Sequence, residues 1–273
     1  MIIVENLCFG YNGQKVFHNL NFKIMDGQWI SLMGDNGSGK TTLVNILVGL
    51  LPFLKGNIWL NDLQMNCLNN QSLRDMIGII FQNPDYQFVG FDVRSDMAFG
   101  LENQRLSRTI IQQKIKKYAC MLNIENLLDK KQQELSGGQK QKVAIASVLV
   151  MEPQIIIFDE STAFLDPKSR QEIYQIIQQI HQHKKQILIT ITHDLVFALK
   201  SDEIMFLNKQ GELWKKDRPI NLLRDNDFLN KYFDNLPLNL KIYYQLEKEK
   251  LNFNNSKLYD DIRSLLWQYN LIM

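Results

Sequence analysis

The chain predicts an α/β fold organised on a parallel sheet, with a helical subdomain inserted into it. Three observations carry that prediction. Trp29-Ile30-Ser31-Leu32-Met33, Ile155-Ile156-Ile157-Phe158 and Ile187-Leu188-Ile189-Thr190-Ile191 are short apolar runs of the kind buried on both faces of a parallel sheet. A glycine-rich turn from Gly34 to Gly39 joins the first run to a helical pattern over Thr42–Val48. The interval from that turn to Asp159 is far longer than one crossover needs, so further helices are expected inside it.

Taken in order, residues 2–9 and 20–33 read as strands joined by the turn-rich Gly10-Tyr11-Asn12-Gly13. Ile58-Trp59-Leu60 is a short strand closed by an Asn61-Asp62 turn. Ile77-Gly78-Ile79-Ile80-Phe81 is a buried strand ending at Gln82-Asn83-Pro84. Residues 92–150 take a helical pattern, with polar runs such as Gln112-Gln113-Lys114 on exposed faces, and Arg170 to His181 is a further helix. After Asp217 the pattern weakens. Ile262, Leu265, Leu266 and Tyr269 then fall at i, i+3, i+4 and i+7, an amphipathic helix that would dock on its own domain or on a partner. The expected division is residues 1–216 for the main domain and 217–273 for a C-terminal extension.

Composition narrows the function classes. Of 273 residues, 45% are hydrophobic, enough for a large core with a small appended unit. A net charge of +2 lacks the basic bias of a dedicated nucleic-acid binder, so nucleic acid is not an expected partner. Cys8, Cys67 and Cys120 form no C-x-x-C pair and are expected to be small buried thiols in a reducing compartment. Met1 to Glu5 runs straight into a strand pattern, so no leader is expected. No apolar run approaches a membrane-spanning length, so membrane association is expected through a partner.

Gly34-Asp35-Asn36-Gly37-Ser38-Gly39-Lys40-Thr41 fits the phosphate-binding P-loop pattern G-x-x-x-x-G-K-[ST]. Its glycines let successive backbone N–H groups curl around an anion, and the helix N-terminus that follows faces the phosphates. Lys40 brings a point charge to the β- and γ-phosphates, and the Thr41 hydroxyl is a ligand for Mg²⁺. Asn36, Gly37, Ser38, Gly39 and Thr42 complete the expected nucleotide-binding loop. The apolar strand ending in Asp159-Glu160 places two carboxylates at the sheet edge where open α/β folds bind ligands. Asp159 suits Mg²⁺, directly or through its water, and Glu160 suits the general base toward an attacking water.

Leu135-Ser136-Gly137-Gly138-Gln139 precedes a good helix sequence, so Ser136 and its glycines form a second anion-binding helix start. A chain that already has one phosphate cradle does not need another for itself. Taken together, the P-loop and this LSGGQ string resemble the ATP-binding cassette (ABC) family, whose ATP sites are shared between two cassettes. The resemblance implies a P-loop NTPase cassette: a RecA-like core with an antiparallel β subdomain, an inserted helical subdomain and a small C-terminal extension. It implies ATP and Mg²⁺ as cofactors, and it implies that Ser136, Gly137, Gly138 and Gln139 cap the γ-phosphate held by the opposite cassette. By the same resemblance, Gln82 is the Q-loop glutamine at Mg²⁺ or the water. Ser161 to Asp166 is the D-loop crossing the dimer interface, and His193 is the switch histidine at the γ-phosphate. Tyr11 would stack on adenine, with Val16 lining the same pocket.

Phe81-Gln82-Asn83-Pro84-Asp85-Tyr86-Gln87-Phe88-Val89-Gly90 and the later Asp96-Met97-Ala98-Phe99-Gly100-Leu101-Glu102-Asn103 resemble ATPase subunits of energy-coupling factor (ECF) transporters. Those transporters import vitamins and transition-metal ions. The implied partners are a second ABC ATPase subunit (the same or, as favoured here, a different chain), a transmembrane scaffold subunit and substrate-binding membrane subunits. The implied location is peripheral, on the cytoplasmic side of the cell membrane. Leu236-Pro237 and the helix after it resemble the family's C-terminal region, which would help hold the ATPase pair together.

Three residues depart from the usual pattern. Asp35 adds a negative charge beside the P-loop, Lys142 stands where arginine is usual, and Ser161 stands where alanine or proline is commoner. Alternative readings are an ATPase of another importer, for amino acids or metals, and a soluble ABC protein acting outside transport. A degenerate, binding-only subunit fits poorly with intact Lys40, Asp159, Glu160 and His193.

Overall fold

The computed structural model describes residues 1–65 and 70–248. Cys67 and the amphipathic pattern over 262–269 lie outside those residues. In chain order the elements are β1 (Ile2–Tyr11), β2 (Gln14–Ile24), β3 (Trp29–Gly34), α1 (Lys40–Leu47), β4 (Lys55–Leu60), β5 (Leu63–Gln64), α2 (Asn70–Met76) and β6 (Ile77–Ile80). Then follow α3 (Val93–Asn103), α4 (Arg108–Met121), α5 (Gly137–Leu149), β7 (Ile155–Asp159), α6 (Pro167–Gln182), β8 (Ile187–Ile191) and α7 (Leu195–Ala198). The described chain ends with β9 (Glu203–Leu207), β10 (Leu213–Asp217), α8 (Pro219–Leu222), α9 (Asn226–Tyr232) and α10 (Leu238–Lys248).

The strands form two sheets. One is four-stranded and antiparallel in the order β2-β1-β4-β5, and the other is six-stranded in the order β10-β9-β3-β8-β7-β6. The second is parallel except at the β10 edge. Alternation along β7 shows why its run is apolar throughout. Ile155 and Ile157 join the core shared with α1 and the antiparallel sheet, while Ile156 and Phe158 join the core of the helical subdomain. A polar cluster deep in this sheet is satisfied internally. Thr190 Oγ1 accepts from the Trp29 indole at 2.9 Å and lies 2.9 Å from Ser31 Oγ.

The structure corrects the sequence reading in three places. The strand expected over 20–33 is two strands, β2 and β3, which belong to different sheets. The chain turns at Met25–Gln28, where Gly27 has φ 68° and Gln28 N–H donates to the Met25 carbonyl. Cys120 is exposed rather than buried, and Cys8 is half-buried. The weak pattern after Asp217 conceals real packing. Leu222, Leu223, Phe228, Leu236 and Leu240 share one buried cluster with Met33 of β3, Ile204 and Phe206 of β9 and Leu195 of α7.

Candidate active site

The loop after β3 is shaped by what its glycines avoid. Gly34 has φ 151°, and a Cβ there would sit 2.4 Å from the Leu207 carbonyl oxygen and 2.8 Å from Ser38 Oγ. Gly39 has φ 93°, and a Cβ there would strike the Phe17 ring at 2.8 Å and Val16 at 2.9 Å. No side chain caps α1, whose N-cap is Gly39, so the first N–H groups of the helix are available to a bound anion. Ser38 Oγ is buried without a partner, an orphan polar atom inside the same cradle. Lys40, only 6% exposed, folds back so that its ammonium donates to the Gly34 carbonyl at 2.9 Å and the Asp35 carbonyl at 3.1 Å. Burial lowers its pKa, and Glu160, Asp35 and Asp159 partly restore it. The negative charge that Asp35 adds therefore helps to hold the lysine charged.

The far side of the cradle comes from β7 and β8. Glu160 lies one residue past β7 in the left-handed region, φ 46°, a cost of about 1–3 kcal/mol for a residue with a Cβ. Its N–H is fixed by the Ile191 carbonyl at 3.2 Å, and its own carbonyl closes a turn onto Ala163 N–H at 3.0 Å. This backbone aims the carboxylate between two side chains. Gln82 Nε2 donates to Glu160 Oε2 at 3.1 Å, and His193 Nε2 donates to Glu160 Oε1 at 3.0 Å. Residues from the ends of β6, β7 and β8 thus converge on one carboxylate. Beside it, burial pushes the Asp159 carboxyl up to about 6, with the Glu160 charge adding to the rise and Lys40 opposing it.

Tyr11 and Val16 lie at the same loop. The Tyr11 ring is half-exposed, edge-on to Phe9 at 4.8 Å, with its hydroxyl 3.4 Å from Thr42 Oγ1. Thr41 is exposed at the start of α1. Thr41 hydroxyl, Gln82 amide oxygen and Asp159 carboxylate supply oxygen donors only, the chemistry preferred by a hard divalent cation. A cavity of about 350 Å³ on the other flank is lined by Gly34, Asp35, Asn36, His193, Tyr232 and Asn235.

Ser136, Gly137, Gly138 and Gln139 stand apart from this cluster. Among the described residues no hydrogen bond or ion pair joins them to the Gly34–Thr42 loop. Ser136 is the N-cap of α5 in a closed capping box. Its Oγ accepts from Gln139 N–H at 3.3 Å, and its N–H donates to Gln139 Oε1 at 3.0 Å. Gly138 is required by packing, since a Cβ there would lie 2.4 Å from Ser169 Oγ on α6. Lys142 makes one ion pair, to Glu172 at 2.7 Å, in place of a two-pronged arginine contact.

Several residues that hold the site together escaped the sequence reading. Lys140 pairs with Asp85 at 2.7 Å, and Gln87 receives the Phe81 N–H while donating to the Ala144 carbonyl, so the Gln82 turn is tied to α5. Asp96, buried in α3, accepts from the Val89 and Gly90 N–H groups and from Ser147. This bracing fixes a surface on which Tyr86, Val89, Phe91 and Phe99 are exposed. The partners of Gln87, Asp85 and Asp96 are brought near by the fold and left no signal in the sequence.

Comparison with known proteins agrees with this geometry. The ABC transporter family model matches residues 17–163. The chain is 50% identical over 273 residues to the energy-coupling factor transporter ATP-binding protein EcfA of Onion yellows phytoplasma (strain OY-M), covering 99% of each. It is 42% identical over 232 residues to the energy-coupling factor transporter ATP-binding protein EcfA1 of Mycoplasmopsis synoviae (strain 53), covering 84% of this chain and 87% of that one. Among solved structures, CbiO1 of Clostridium perfringens, described as part of the ABC transporter complex cbiONQ, superposes with a TM-score of 0.78 at 31% identity. That match covers 88% of this chain and 97% of the other. The ATP-binding cassette MJ0796, solved as a dimer bound to ADP and Pi, gives a TM-score of 0.72 at 26% identity, covering 80% and 99%. A P-loop cradle, a carboxylate held between glutamine and histidine, and relatedness along the whole chain make this an ATP-hydrolysing cassette that belongs to the energy-coupling factor transporter ATP-binding proteins of the ABC family.

Proposed function

We propose that this subunit couples ATP binding and hydrolysis to uptake of vitamins or transition-metal ions through a membrane-embedded partner. The observation that carries the reading is the three-way contact of Glu160 with Gln82 and His193, opposite Lys40. In this reading Tyr11 and Val16 receive adenine, the N–H groups of residues 36–42 receive the phosphates, and Lys40 leaves the Gly34 and Asp35 carbonyls for the β- and γ-phosphates. Glu160 takes the proton of the attacking water, and His193 holds the carboxylate and the γ-phosphate in line. Gln82 has its amide N–H₂ on Glu160, which leaves its oxygen for a cation shared with Thr41 and Asp159. A bound Mg²⁺ supplies neutralisation of the charge that develops on the phosphoryl oxygens.

The Ser136–Gln139 turn serves a second cassette, identical or different, whose ATP it caps in trans. Closure of the pair is driven by contacts that exist only when ATP is bound. The exposed Tyr86, Val89, Phe91 and Phe99 surface suits a segment of a transmembrane scaffold, with separate membrane subunits binding the substrate. Among the described residues no helix is long and apolar enough to cross a membrane, which fits a peripheral, cytoplasmic-side position. Residues 1–216 are the ATPase domain, with the helical subdomain at about 92–150, and 217–273 support the pairing of cassettes.

The test is co-purification of the tagged chain from detergent-solubilised host membranes, with its companions identified by mass spectrometry. A second cassette, a small multi-spanning scaffold and several small substrate-binding membrane proteins are expected. Recovery with an amino-acid-type permease, or with ribosomes, would overturn the transport assignment while leaving the ATPase chemistry intact.

A further inference from the structure

Glu160 and His193 leave the sheet on separate loops, and hydrogen bonds from two side chains of α6 hold those loops, Arg170 the first and Tyr174 the second. The Tyr174 phenol donates to Asp194 Oδ2 at 3.0 Å, and Thr162 lines the same cavity as that phenol. Thr162 is two residues past Glu160, and Asp194 is the residue after His193. Asp194 is itself fixed from three directions. Its N–H donates to Thr192 Oγ1 at 3.0 Å, and its Oδ1 accepts from Phe197 N–H at 3.1 Å to cap α7. The Tyr174 ring lies flat on Phe197, with centroids 3.7 Å apart and planes 7° from parallel. One turn earlier on α6, Arg170 Nη2 donates to the Leu165 carbonyl at 3.3 Å, and its Nε is buried without a partner. Thr162, Arg170, Tyr174, Thr192 and Asp194 border one cavity of about 140 Å³, which Glu160 and His193 also line.

We propose that Tyr174 is a positioning residue that anchors the loop after His193 to α6, while Arg170 anchors the loop after Glu160 to the same helix, and that this shared mount sets the geometry of the Glu160–His193 pair. The proposal rests on the active-site reading above. Glu160 and His193 meet from two separate loops at a contact of 3.0 Å, and small misplacement of reacting groups costs rate steeply. Burial keeps the phenol protonated, with its pKa pushed up to about 12, so it remains a donor to Asp194 at any working pH. A strut of this kind acts on the chemical step and leaves ATP binding at the P-loop unchanged.

The experiment compares Tyr174→Phe, Arg170→Met and Glu160→Gln with the parent, each as full chain in its native complex, with kcat, KM for ATP and Tm measured. Tyr174→Phe keeps the ring stack and removes only the hydroxyl that holds Asp194. The expected result is a fall in kcat of about tenfold, KM within twofold and an almost unchanged Tm. Arg170→Met, which releases the other loop from the same helix, should reproduce that pattern. Parental kcat in both variants would overturn the inference, as would a loss explained wholly by lowered Tm with parental turnover per folded site. If Glu160→Gln is inactive while Tyr174→Phe is parental, only the Tyr174 proposal falls. If Glu160→Gln itself turns over normally, the active-site reading falls with it.

Discussion

The loop from Gly34 to Thr42 and the turn from Ser136 to Gln139 each lead into a helix N-terminus, yet their surroundings differ. The first is crowded with reactive groups from three other strand ends: Lys40 on its own carbonyls, Glu160 between Gln82 and His193, and Asp159 nearby. Among the described residues the second has no hydrogen bond or ion pair to these, although Gly137 shares a cavity of about 310 Å³ with Gln82, and its serine is spent on its own capping box. The first turn is surrounded by groups of its own chain that can act on what it binds. The second is capped and packed, and the difference teaches that its shape is kept by the start of α5 and by Ser169 of α6 rather than by the catalytic cluster.

Predictions can break or sharpen that contrast. The largest expected effect is Glu160→Gln, which should lower ATP hydrolysis by about a thousandfold and let ATP-bound cassette pairs accumulate on gel filtration. Undiminished turnover would remove Glu160 from the base role. Gly138→Ala strikes the other half, because the new methyl group meets Ser169 at 2.4 Å. Turnover should fall tenfold or more while ATP binding to the isolated chain, followed by a fluorescent nucleotide, stays within twofold. Equal loss of both would mean that the turn and the P-loop are not separate halves.

Asp159→Asn is the subtlest. The folded-state pKa of Asp159 is raised to about 6 from 3.8, so its ionised form opposes folding above pH 6, and that opposition disappears as pH falls toward 3.8. The variant should raise the stability of the nucleotide-free chain at pH 7.5 by about 1–3 kcal/mol, with the gain vanishing near pH 4. Urea titrations at the two pH values read this directly. A variant less stable than the parent at pH 7.5 would contradict the electrostatic account.

Much of this was legible from the chain because the phosphate chemistry is local. Gly34 to Thr41, Ile155 to Glu160 and Leu135 to Gln139 each contain their own structural context, strand or cap, within a few residues. The β2–β3 break was hidden because Met25-Asp26-Gly27-Gln28 sits inside a long strand-like pattern, and only sheet membership separates its flanks. The bracing by Gln87, Asp96 and Tyr174 was not legible, since each works through partners brought near by the fold and looks like an ordinary helix or loop residue. Lys140 was read as part of a good helix, while its ion pair depends on Asp85 arriving from the Gln82 turn.

The cluster in which Phe228, Leu236 and Leu240 pack on Met33, Ile204 and Phe206 has a thermodynamic consequence. A boundary after residue 216 follows chain order, but no seam in the hydrophobic interior coincides with it. The helices up to Leu240 therefore melt with the sheet as one cooperative unit, and removing them would expose the buried ends of β3 and β9. Tyr232 and Asn235 also share a cavity with Asp35 and Asn36. We predict that nucleotide held at the phosphate loop raises the resistance of these helices to local unfolding, which hydrogen exchange of their amides with and without ATP would read.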